Sequence, residues 1–358
     1  KTASVGYEQS PTVILQGHMD MVCEKNKGTQ HDFQKDPLKL RVDGEMLYAT
    51  DTTLGADNGI ALAYGLAILD DLSLEHPKLE VVFTTEEETT FLGASALDPK
   101  YFSGKLLINL DSEEDDALLV SSAGGVGMGI TLPVQWAASD DRALPVRLRV
   151  KGLQGGHSGM EIDKERGNAI KLLGRLLQEL VVKEGAEIAQ LEGGSQRNAI
   201  SREAEAILLI PEKAYERFGK RVSELQEALQ REFYIKDPKL RLEWSREEAW
   251  TWESDHRQKM KPESAVKVLQ AIALMPDGVH TMSAEMKGLV ESSSNLGLLK
   301  TLGDNVYFET ELRSAVKSQS VVLMDKFEIL AEVLGASCKS FEAYPEWPFN
   351  PSSKLRAL

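Results

Sequence analysis

Apolar and polar positions follow two different patterns along the chain, and the change comes near residue 125. Before it, three short runs are mostly apolar: 12–16 (TVILQ), 79–84 (LEVVFT) and 105–110 (KLLINL). Runs of this length suit strands that are buried on both faces of a parallel sheet. Between the first two runs, 60–69 (IALAYGLAIL) has the length and spacing of a buried helix. Strand, helix and strand in this order predict an α/β layer.

From about residue 125 to 335 the pattern favours half-exposed strands and amphipathic helices. The segment 145–150 (PVRLRV) alternates apolar and polar residues, as a strand with one solvated face does. This part is therefore predicted to be an α+β domain. Its other predicted elements are helices at 168–182, 214–233 and 320–334 and strands at 204–210, 240–244 and 305–313.

The length of 358 residues also favours more than one domain, because a single core of this size is uncommon. We predict a first domain at 1–124, an inserted domain at 125–335 and a return to the first domain at 336–358. The chain opens with Lys1 and closes about one turn into a helix predicted after Asn350. We therefore expect it to be cut at both ends.

Composition narrows the classes of function. The chain is 42% apolar and 27% charged, as a globular protein is, and no apolar run is long enough to span a bilayer. Its formal charge of −15 argues against nucleic acid or an anionic membrane as a partner. Two cysteines, Cys23 and Cys338, imply no disulfide framework and fit a reducing compartment. We therefore expect a cytoplasmic protein.

Acidic residues and a histidine follow the three apolar runs of the first domain. The runs lead into 16–20 (QGHMD), 84–88 (TTEEE) and 109–113 (NLDSE). Ligand sites in α/β sheets lie beyond the carboxyl ends of the strands, so these side chains are expected to converge there. Carboxylates packed together repel one another, and a multivalent cation is the usual reason that such a cluster is tolerated.

His18 and Asp20 are two residues apart and face the same side of a strand. His18 would give one ring nitrogen to a metal, while Asp20 would accept a hydrogen bond from the other and fix the tautomer. The alternative is a surface histidine that happens to lie near an aspartate. The motif alone does not decide between them.

The other acidic residues have two interpretations each. Asp57 either belongs to an Asp-Asn-Gly hairpin turn or lies before a helix, where its carboxylate would bridge two cations. Glu86–Glu88 either begin an acidic helix or divide the work, with Glu88 as a metal ligand and Glu87 as a free base. Asp111 is either a ligand or a helix cap. Together with His18 this nitrogen and oxygen set suits zinc, with manganese or cobalt as substitutes.

At these residues the chain resembles the M20 metallopeptidases, and within them the branch of aminoacyl-histidine (Xaa-His) dipeptidases. The resemblance covers nearly the whole chain. The motifs that carry it are 17–22 (GHMDMV), 53–59 (TLGADNG), 86–88 (EEE), 109–113 (NLDSE), 155–159 (GGHSG) and 193–200 (GGSQRNAI). It implies an α/β fold, with a mostly parallel-sheet, zinc-aminopeptidase-like catalytic domain and an inserted α+β lid domain.

The resemblance also implies roles in a centre of two divalent cations. His18 and Asp111 would each bind one metal, Asp57 would bridge the two, and Glu88 would be a further ligand. Asp20 would orient His18. The family has one more histidine ligand near its carboxyl terminus, and we expect it beyond Leu358. The remaining histidines lie in unrelated sequence contexts: His31, His76, His256 and His280.

Catalysis and substrate binding are implied in the same way. Glu87 would be the general base, and His157, Asn198 and Arg313 would contact the substrate from the lid domain. The alternative for Arg313 is a simple ion pair with Glu309 or Glu311.

The function implied is metal-dependent hydrolysis of dipeptides, either of the Xaa-His type or of broad specificity. The alternatives are an N-acyl amino acid deacylase, a carboxypeptidase of the same family, and a non-catalytic metal- or peptide-binding relative. The partner implied is a small peptide. A homodimer formed through the lid domain is a further expectation, for which 204–210 is an apolar candidate edge strand.

Overall fold

The computed structural model describes residues 1–112, 116–247 and 258–357, and the chain divides into two compact units. The first unit comprises Lys1–Val120 together with the residues from Asn350 onward. The second comprises Ser121–Phe349. Glu113 and His256 lie outside the described residues.

The first unit is built around a small parallel sheet. Its strands and helices are β1 (Val13–His18), β2 (Leu40–Asp43), β3 (Met46–Ala49), α1 (Ala56–Asp70), β4 (Leu79–Thr84), α2 (Leu92–Ser95) and β5 (Leu106–Asn109). The sheet has the order β4-β1-β5, and β1 is parallel to both neighbours. The long connection through α1 lets β4 return parallel to β1. Strands β2 and β3 form a separate antiparallel hairpin.

Close packing of α1 on β1 fixes the geometry at the end of that strand. A Cβ atom at Gly17 would lie 2.4 Å from Asn58 Oδ1 and 2.5 Å from the Ala61 Cβ, so no larger residue fits there. The Asn58 side chain bridges two strands. Its Oδ1 accepts from the His18 N–H at 3.1 Å, and its Nδ2 donates to the Leu110 carbonyl at 2.9 Å. One buried amide thus links the residues that end β1 and follow β5.

The second unit is dominated by a large antiparallel sheet. Its strands and helices are β6 (Gly124–Pro133), β7 (Trp136–Ala138), β8 (Ala143–Lys151), β9 (Gly156–His157), α3 (Ala169–Leu177), β10 (Glu187–Gly194), β11 (Ala199–Ile200), β12 (Ala204–Pro211), α4 (Tyr215–Glu232), β13 (Arg241–Arg246), β14 (Gln258–Met260), α5 (Pro262–Leu274), β15 (Gly278–Met282), β16 (Val290–Leu302), β17 (Asn305–Ser314), α6 (Lys317–Leu334) and β18 (Ser337–Tyr344). The strand order is β13-β8-β12-β10-β16-β17-β6-β18, with β15 paired to β16.

The helices of this unit bury their apolar faces in one core with the sheet. Helix α3 contributes Leu173 and Leu177, α5 contributes Val268, and α6 contributes Phe327, all fully buried. Asn168 begins α3, because its side chain accepts hydrogen bonds from the backbone N–H groups of Ile170 and Lys171. The helix predicted at 168–182 is α3 followed by the π-helical segment Gln178–Lys183.

The mixed α/β architecture is confirmed, but a mostly parallel sheet is not. The largest sheet of the chain is antiparallel, and parallel pairing within the described ranges is limited to β1, β4 and β5. Short connections explain the difference: β16 and β17 are joined directly at 302–305, and such a turn can only produce antiparallel neighbours.

The structure also moves the second domain boundary. Strand β18 pairs with β6, so the large sheet extends to residue 344 and the second unit to Phe349 rather than to residue 335. After Asn350, whose side chain accepts from the N–H of Ser352, the described chain has only the short 3-10 turn Leu355–Ala357. Within the described ranges, no helix has both the length and the apolar character needed to cross a membrane.

A matched pair of substitutions on α5 tests this account of the core. Val268 is fully buried and Val266 is 43% exposed on the same helix. Val268→Ala should lower the free energy of unfolding by about 2 kcal/mol, because it leaves a cavity in a closely packed core. Val266→Ala should leave that free energy unchanged or raise it slightly, since alanine has the higher helix propensity. Urea denaturation followed by circular dichroism measures both, and equal losses would contradict the assigned core face of α5.

Candidate metal centre

The imidazole of His18 is the centre of a group of carboxylates in the first unit. His18 ends β1 and is 1% exposed. Its Nε2 atom lies 3.0 Å from Asp57 Oδ1, 3.3 Å from Asp111 Oδ1 and 3.9 Å from Glu87 Oε2. These acids come from separate segments that follow β1, β4 and β5 in the chain, so the parallel sheet gathers them at one edge.

Asp20 holds His18 in a different way from the one predicted. The Nδ1 atom of His18 lies 3.0 Å from the Asp20 carbonyl oxygen and 3.5 Å from the Asp20 carboxylate, so the backbone is the nearer acceptor. A proton on Nδ1 that donates to this carbonyl leaves the Nε2 lone pair facing the acids. The predicted orientation of His18 by residue 20 therefore operates chiefly through its main chain.

The Asp20 carboxylate instead fixes the loop that carries the glutamates. It accepts from the backbone N–H groups of Glu87 at 3.1 Å and Glu88 at 3.0 Å. Burial alone would raise the pKa of Asp20, but these N–H donors outweigh it and hold the pKa below its usual value. Asp20 is therefore a charged anchor between the end of β1 and the loop after β4.

Asp57 lies in the turn that enters α1 and not in a hairpin. Gly55 has the left-handed φ of 70° just before it, and the backbone of Asp57 is non-helical at φ −83° and ψ 106°. The peptide bond between Asp57 and Asn58 is cis. The Asp57 carboxylate is half exposed and points to His18, so one face of it stays open to a further ligand.

The remaining acids complete two overlapping groups of candidate ligand atoms. Within each group, His18–Asp57–Asp111 and His18–Glu87–Glu88, the ligand atoms all lie within 4.8 Å of one another. The predicted residues are thus brought together. Asp111 follows β5 and begins no described helix, and His31 and His76 belong to neither group.

Crowding shifts the proton affinity of several of these side chains. Burial raises the pKa of Asp111 to about 6, with the charges of Asp57 and Glu87 adding to it and His18 opposing it. Burial likewise raises the pKa of Glu87, helped by Glu88 and Asp57. For His18, burial lowers the pKa, but Asp111, Asp57 and Glu87 outweigh it, and the pKa is raised. Each shift reports negative charge that the protein itself does not neutralise.

The centre fits a divalent cation by two observations. The Asp111 Oδ1 atom is buried and has no hydrogen-bond partner among the described residues, which leaves an acceptor without a donor. One imidazole nitrogen and several carboxylate oxygens form the set of ligands that zinc, manganese and cobalt accept. A cation would satisfy that oxygen and offset the repulsion among the acids.

In the second unit, His157, Asn198 and Arg313 also come together. His157 in β9 pairs with Ala199 in β11, and the Asn198 carbonyl accepts from the Ser158 N–H at 2.8 Å. A Cβ atom at Gly159 would lie 3.0 Å from His157 Cε1 and 3.2 Å from Arg313 Nε, so both side chains contact this glycine. Burial and the charge of Arg313 lower the pKa of His157, which keeps its imidazole neutral at pH 7.

The ion pair of Arg313 with Glu311, the predicted alternative, is present, but it is long. Glu311 is 3.9 Å from Arg313 but accepts from the Nε of Arg197 at 2.6 Å, and Glu309 pairs with Arg197 as well. The closest partner of Arg313 is the Tyr344 hydroxyl, to which Nη1 donates at 2.6 Å. Sequence reasoning missed Tyr344 and also Asn58, although Asn58 lies inside the Asp-Asn-Gly motif that identified Asp57.

Comparisons with known proteins show which family the chain is similar to. Residues 148–237 match the family model described as a peptidase dimerisation domain of the M20 type. The whole chain is 34% identical to the cytosol non-specific dipeptidase of Escherichia coli and spans 73% of it. It also matches the crystal structure of the aminoacylhistidine dipeptidase from Vibrio alginolyticus, with 34% identity, a TM-score of 0.88 and coverage of 100% of this chain and 72% of that one. An uncharacterised Bacillus subtilis protein is 28% identical over 62% of this chain and 56% of its own length.

Cation binding is expected to release protons and to strengthen as the pH rises. The pKa of Asp111 is about 6 in the metal-free centre and that of His18 is raised, so near and below pH 6 both groups hold protons that a cation must displace. The affinity for zinc should therefore fall as the pH falls through about 6. Isothermal titration calorimetry in two buffers of different ionisation enthalpy measures both affinity and proton release.

Two aspartate variants test whether the zinc ion and the released protons belong to this centre. Asp111→Asn should weaken zinc binding and reduce proton release, because it removes a ligand that titrates. Asp43→Asn is the matched control, since Asp43 is exposed and pairs with Arg41 away from the centre. If Asp111→Asn binds zinc as tightly as the wild type, Asp111 is not a ligand and the centre as described is wrong.

Proposed function

Because the chain belongs to the M20 metallopeptidase family, we propose that it is a dipeptidase whose divalent metal centre is the His18 cluster of the first unit. Two observations together carry this proposal. A dipeptidase is similar to this chain over its whole length, and several acids cluster around one buried imidazole. Membership in this family implies use of a divalent metal, and two zinc ions are the proposed form, with manganese or cobalt as substitutes.

Distances within the cluster support part of the proposed ligand set. His18, Asp57 and Asp111 would hold one cation, since their ligand atoms already form one compact group. Asp57 would bridge to a second cation, because its carboxylate is half exposed, and Glu88 would be a ligand of that cation. When bound, the divalent cations supply Lewis-acid chemistry: they polarise the peptide carbonyl and lower the pKa of a water molecule.

Glu87 is the proposed general base. Its carboxylate lies at the edge of the cluster, 3.9 Å from His18 Nε2, and burial raises its pKa above the usual value, which is the direction that favours a general base. Glu87 would take a proton from the attacking water and give it to the departing amine when the carbon–nitrogen bond breaks. The Asp20 carboxylate fixes the loop of Glu87 and Glu88, so it sets the direction of both side chains.

Substrate contacts are assigned to the second unit. His157 is neutral and would donate a hydrogen bond to the oxygen that becomes negative in the transition state, a contribution of a few kcal/mol at most sites of this kind. Arg313 and Asn198 would bind the carboxylate or the backbone of the dipeptide, since guanidinium suits a carboxylate best. The closeness of His157 and Arg313 to Gly159, and the hydrogen bond from the Ser158 N–H to the Asn198 carbonyl, support one shared role.

The alternatives differ in substrate and not in metal chemistry. A deacylase or a carboxypeptidase would use the same centre with other pockets, and a non-catalytic relative would not need Glu87 beside Glu88. Because two of the relatives are dipeptidases, dipeptides are the favoured substrates for this chain, either of the Xaa-His type or of broad specificity. We also propose the cytoplasm as its compartment, after that of the Escherichia coli relative, and a homodimer formed through the part that matches the dimerisation model.

The role of Glu87 is tested by removing its charge. Glu87→Gln should lower kcat by at least about a thousandfold, within the range that a positioned base contributes, while the zinc content stays that of the wild type. Glu86→Gln is the control, because Glu86 is its exposed neighbour in the chain and belongs to neither ligand group. Loss of zinc together with activity would make Glu87 a ligand and refute its role as the base.

The substrate class is tested by comparing two kinds of amide. The zinc-loaded protein should hydrolyse glycyl-histidine or β-alanyl-histidine with a higher kcat/KM than N-acetyl-histidine, which lacks the free amino group of a dipeptide. The reverse order would favour the deacylase. Hydrolysis of neither substrate by the zinc-loaded protein would favour a binding protein.

A further inference from the structure

The guanidinium of Arg313 is held at one end and has spare hydrogen-bonding capacity. Its Nη1 donates to the Tyr344 hydroxyl at 2.6 Å, while its Nε is buried without a hydrogen-bond partner among the described residues. The nearest carboxylate is Glu311 at 3.9 Å, which Arg197 already engages. A Cβ atom at Gly159, two residues after His157, would lie 3.2 Å from the Arg313 guanidinium, so this side chain lies beside the glycine. A buried donor without a partner calls for a functional explanation, and a bound anion would give one.

A register shift in β18 directs the Tyr344 side chain toward the Arg313 guanidinium. Phe341 lies opposite Gly127 on β6, but Tyr344 lies opposite Gly125, so β18 has one extra residue between them. Such a β-bulge redirects the side chains that follow it. Glu342 lies in the bulge with φ 49°, a left-handed conformation that is unfavourable for a residue other than glycine, and its carboxylate pairs with Arg197.

Gly125 leaves the space that the Tyr344 ring occupies. A Cβ atom at position 125 would lie 2.3 Å from both Cζ and the hydroxyl oxygen of Tyr344. Any side chain there would push the phenol away from Arg313. The bulge and the glycine therefore act together, because the bulge redirects the Tyr344 side chain and Gly125 leaves the space that its ring occupies.

A phenol has a consequence for Arg313 that a carboxylate would not have. It accepts a hydrogen bond from the guanidinium and fixes its position, but at neutral pH it brings no negative charge. The positive charge of Arg313 therefore stays available to an anion. A glutamate at position 344 would form an ion pair with Arg313 and compete with any carboxylate ligand.

We propose that Tyr344 is a specificity-determining positioning residue: its hydroxyl holds Arg313 in the orientation that receives the terminal carboxylate of the substrate. This inference rests on the proposed function, in which Arg313 contacts the substrate. It assigns to Tyr344 the preference for dipeptides with a free carboxylate over dipeptides whose carboxyl group is blocked.

The test compares one dipeptide with its amide. For the zinc-loaded protein, kcat and KM are measured with glycyl-histidine and with glycyl-histidine amide. Tyr344→Phe removes only the hydroxyl and should raise KM for the free dipeptide about tenfold, the loss expected for one hydrogen bond to a charged group. KM for the amide, and kcat for both substrates, should change little.

Two further variants make the comparison specific. Tyr307→Phe is the matched control, because the Tyr307 hydroxyl donates to Glu309 at 2.9 Å in the same sheet and does not contact Arg313. It should leave both KM values unchanged. Gly125→Ala should reproduce the effect of Tyr344→Phe, since it displaces the ring. If Tyr344→Phe changes KM for the two substrates alike, or changes neither, the proposal is wrong.

Failure of the proposed function would look different from failure of this inference. A wild-type protein that hydrolyses neither substrate refutes the dipeptidase, and Arg313→Ala that keeps the preference for the free carboxylate refutes the role of Arg313. Without turnover, calorimetric binding of the same two ligands still tests Tyr344. Tyr344→Phe should then weaken binding of the free dipeptide alone, and an equal loss for both ligands overturns the inference.

Discussion

Negative charge is concentrated around the buried imidazole of His18, and strand pairing and helix packing in the first unit hold the acids in place. Carboxylate oxygens of Asp57 and Asp111 lie within 3.3 Å of the His18 Nε2 atom, and the raised pKa values of His18 and Asp111 indicate that much of this negative charge is unpaired. Parallel pairing of β1 with β4 and β5 brings the segments to one edge. The absence of a side chain at Gly17 then lets α1 lie directly on β1. A bound cation would supply the missing positive charge and stabilise this arrangement.

The second unit differs from the first in how its charged groups are paired. Its antiparallel sheet pairs most of the charged groups near Arg313 with one another, as Arg197 does with Glu309, Glu311 and Glu342. Arg313 differs from Arg197, because its closest partner is the neutral Tyr344 hydroxyl. The first unit thus accumulates negative charge that suits a cation, and the second retains positive charge at Arg313 that suits an anion.

The candidate metal centre could be predicted from the sequence because a parallel sheet gathers the carboxyl ends of its strands. His18, Asp111 and the glutamates each follow a strand that its apolar run identifies, and the order of strand and helix implies parallel pairing. The large antiparallel sheet and the position of β18 were not predicted, since pairing partners far apart in sequence leave no local signal. For the same reason the contact between Arg313 and Tyr344, which are 31 residues apart and aligned by a bulge, required the structure. The backbone carbonyl of Asp20 as the partner of His18 could not be read from residue types at all.

The most direct measurement of the central claim is anomalous diffraction at the zinc edge from crystals of the zinc-loaded protein. We expect an anomalous peak within coordination distance of His18 Nε2 and of carboxylate oxygens of Asp57 and Asp111, about 2.0–2.2 Å for such ligands. Zinc bound elsewhere, with these side chains in place and no peak between them, would contradict that claim.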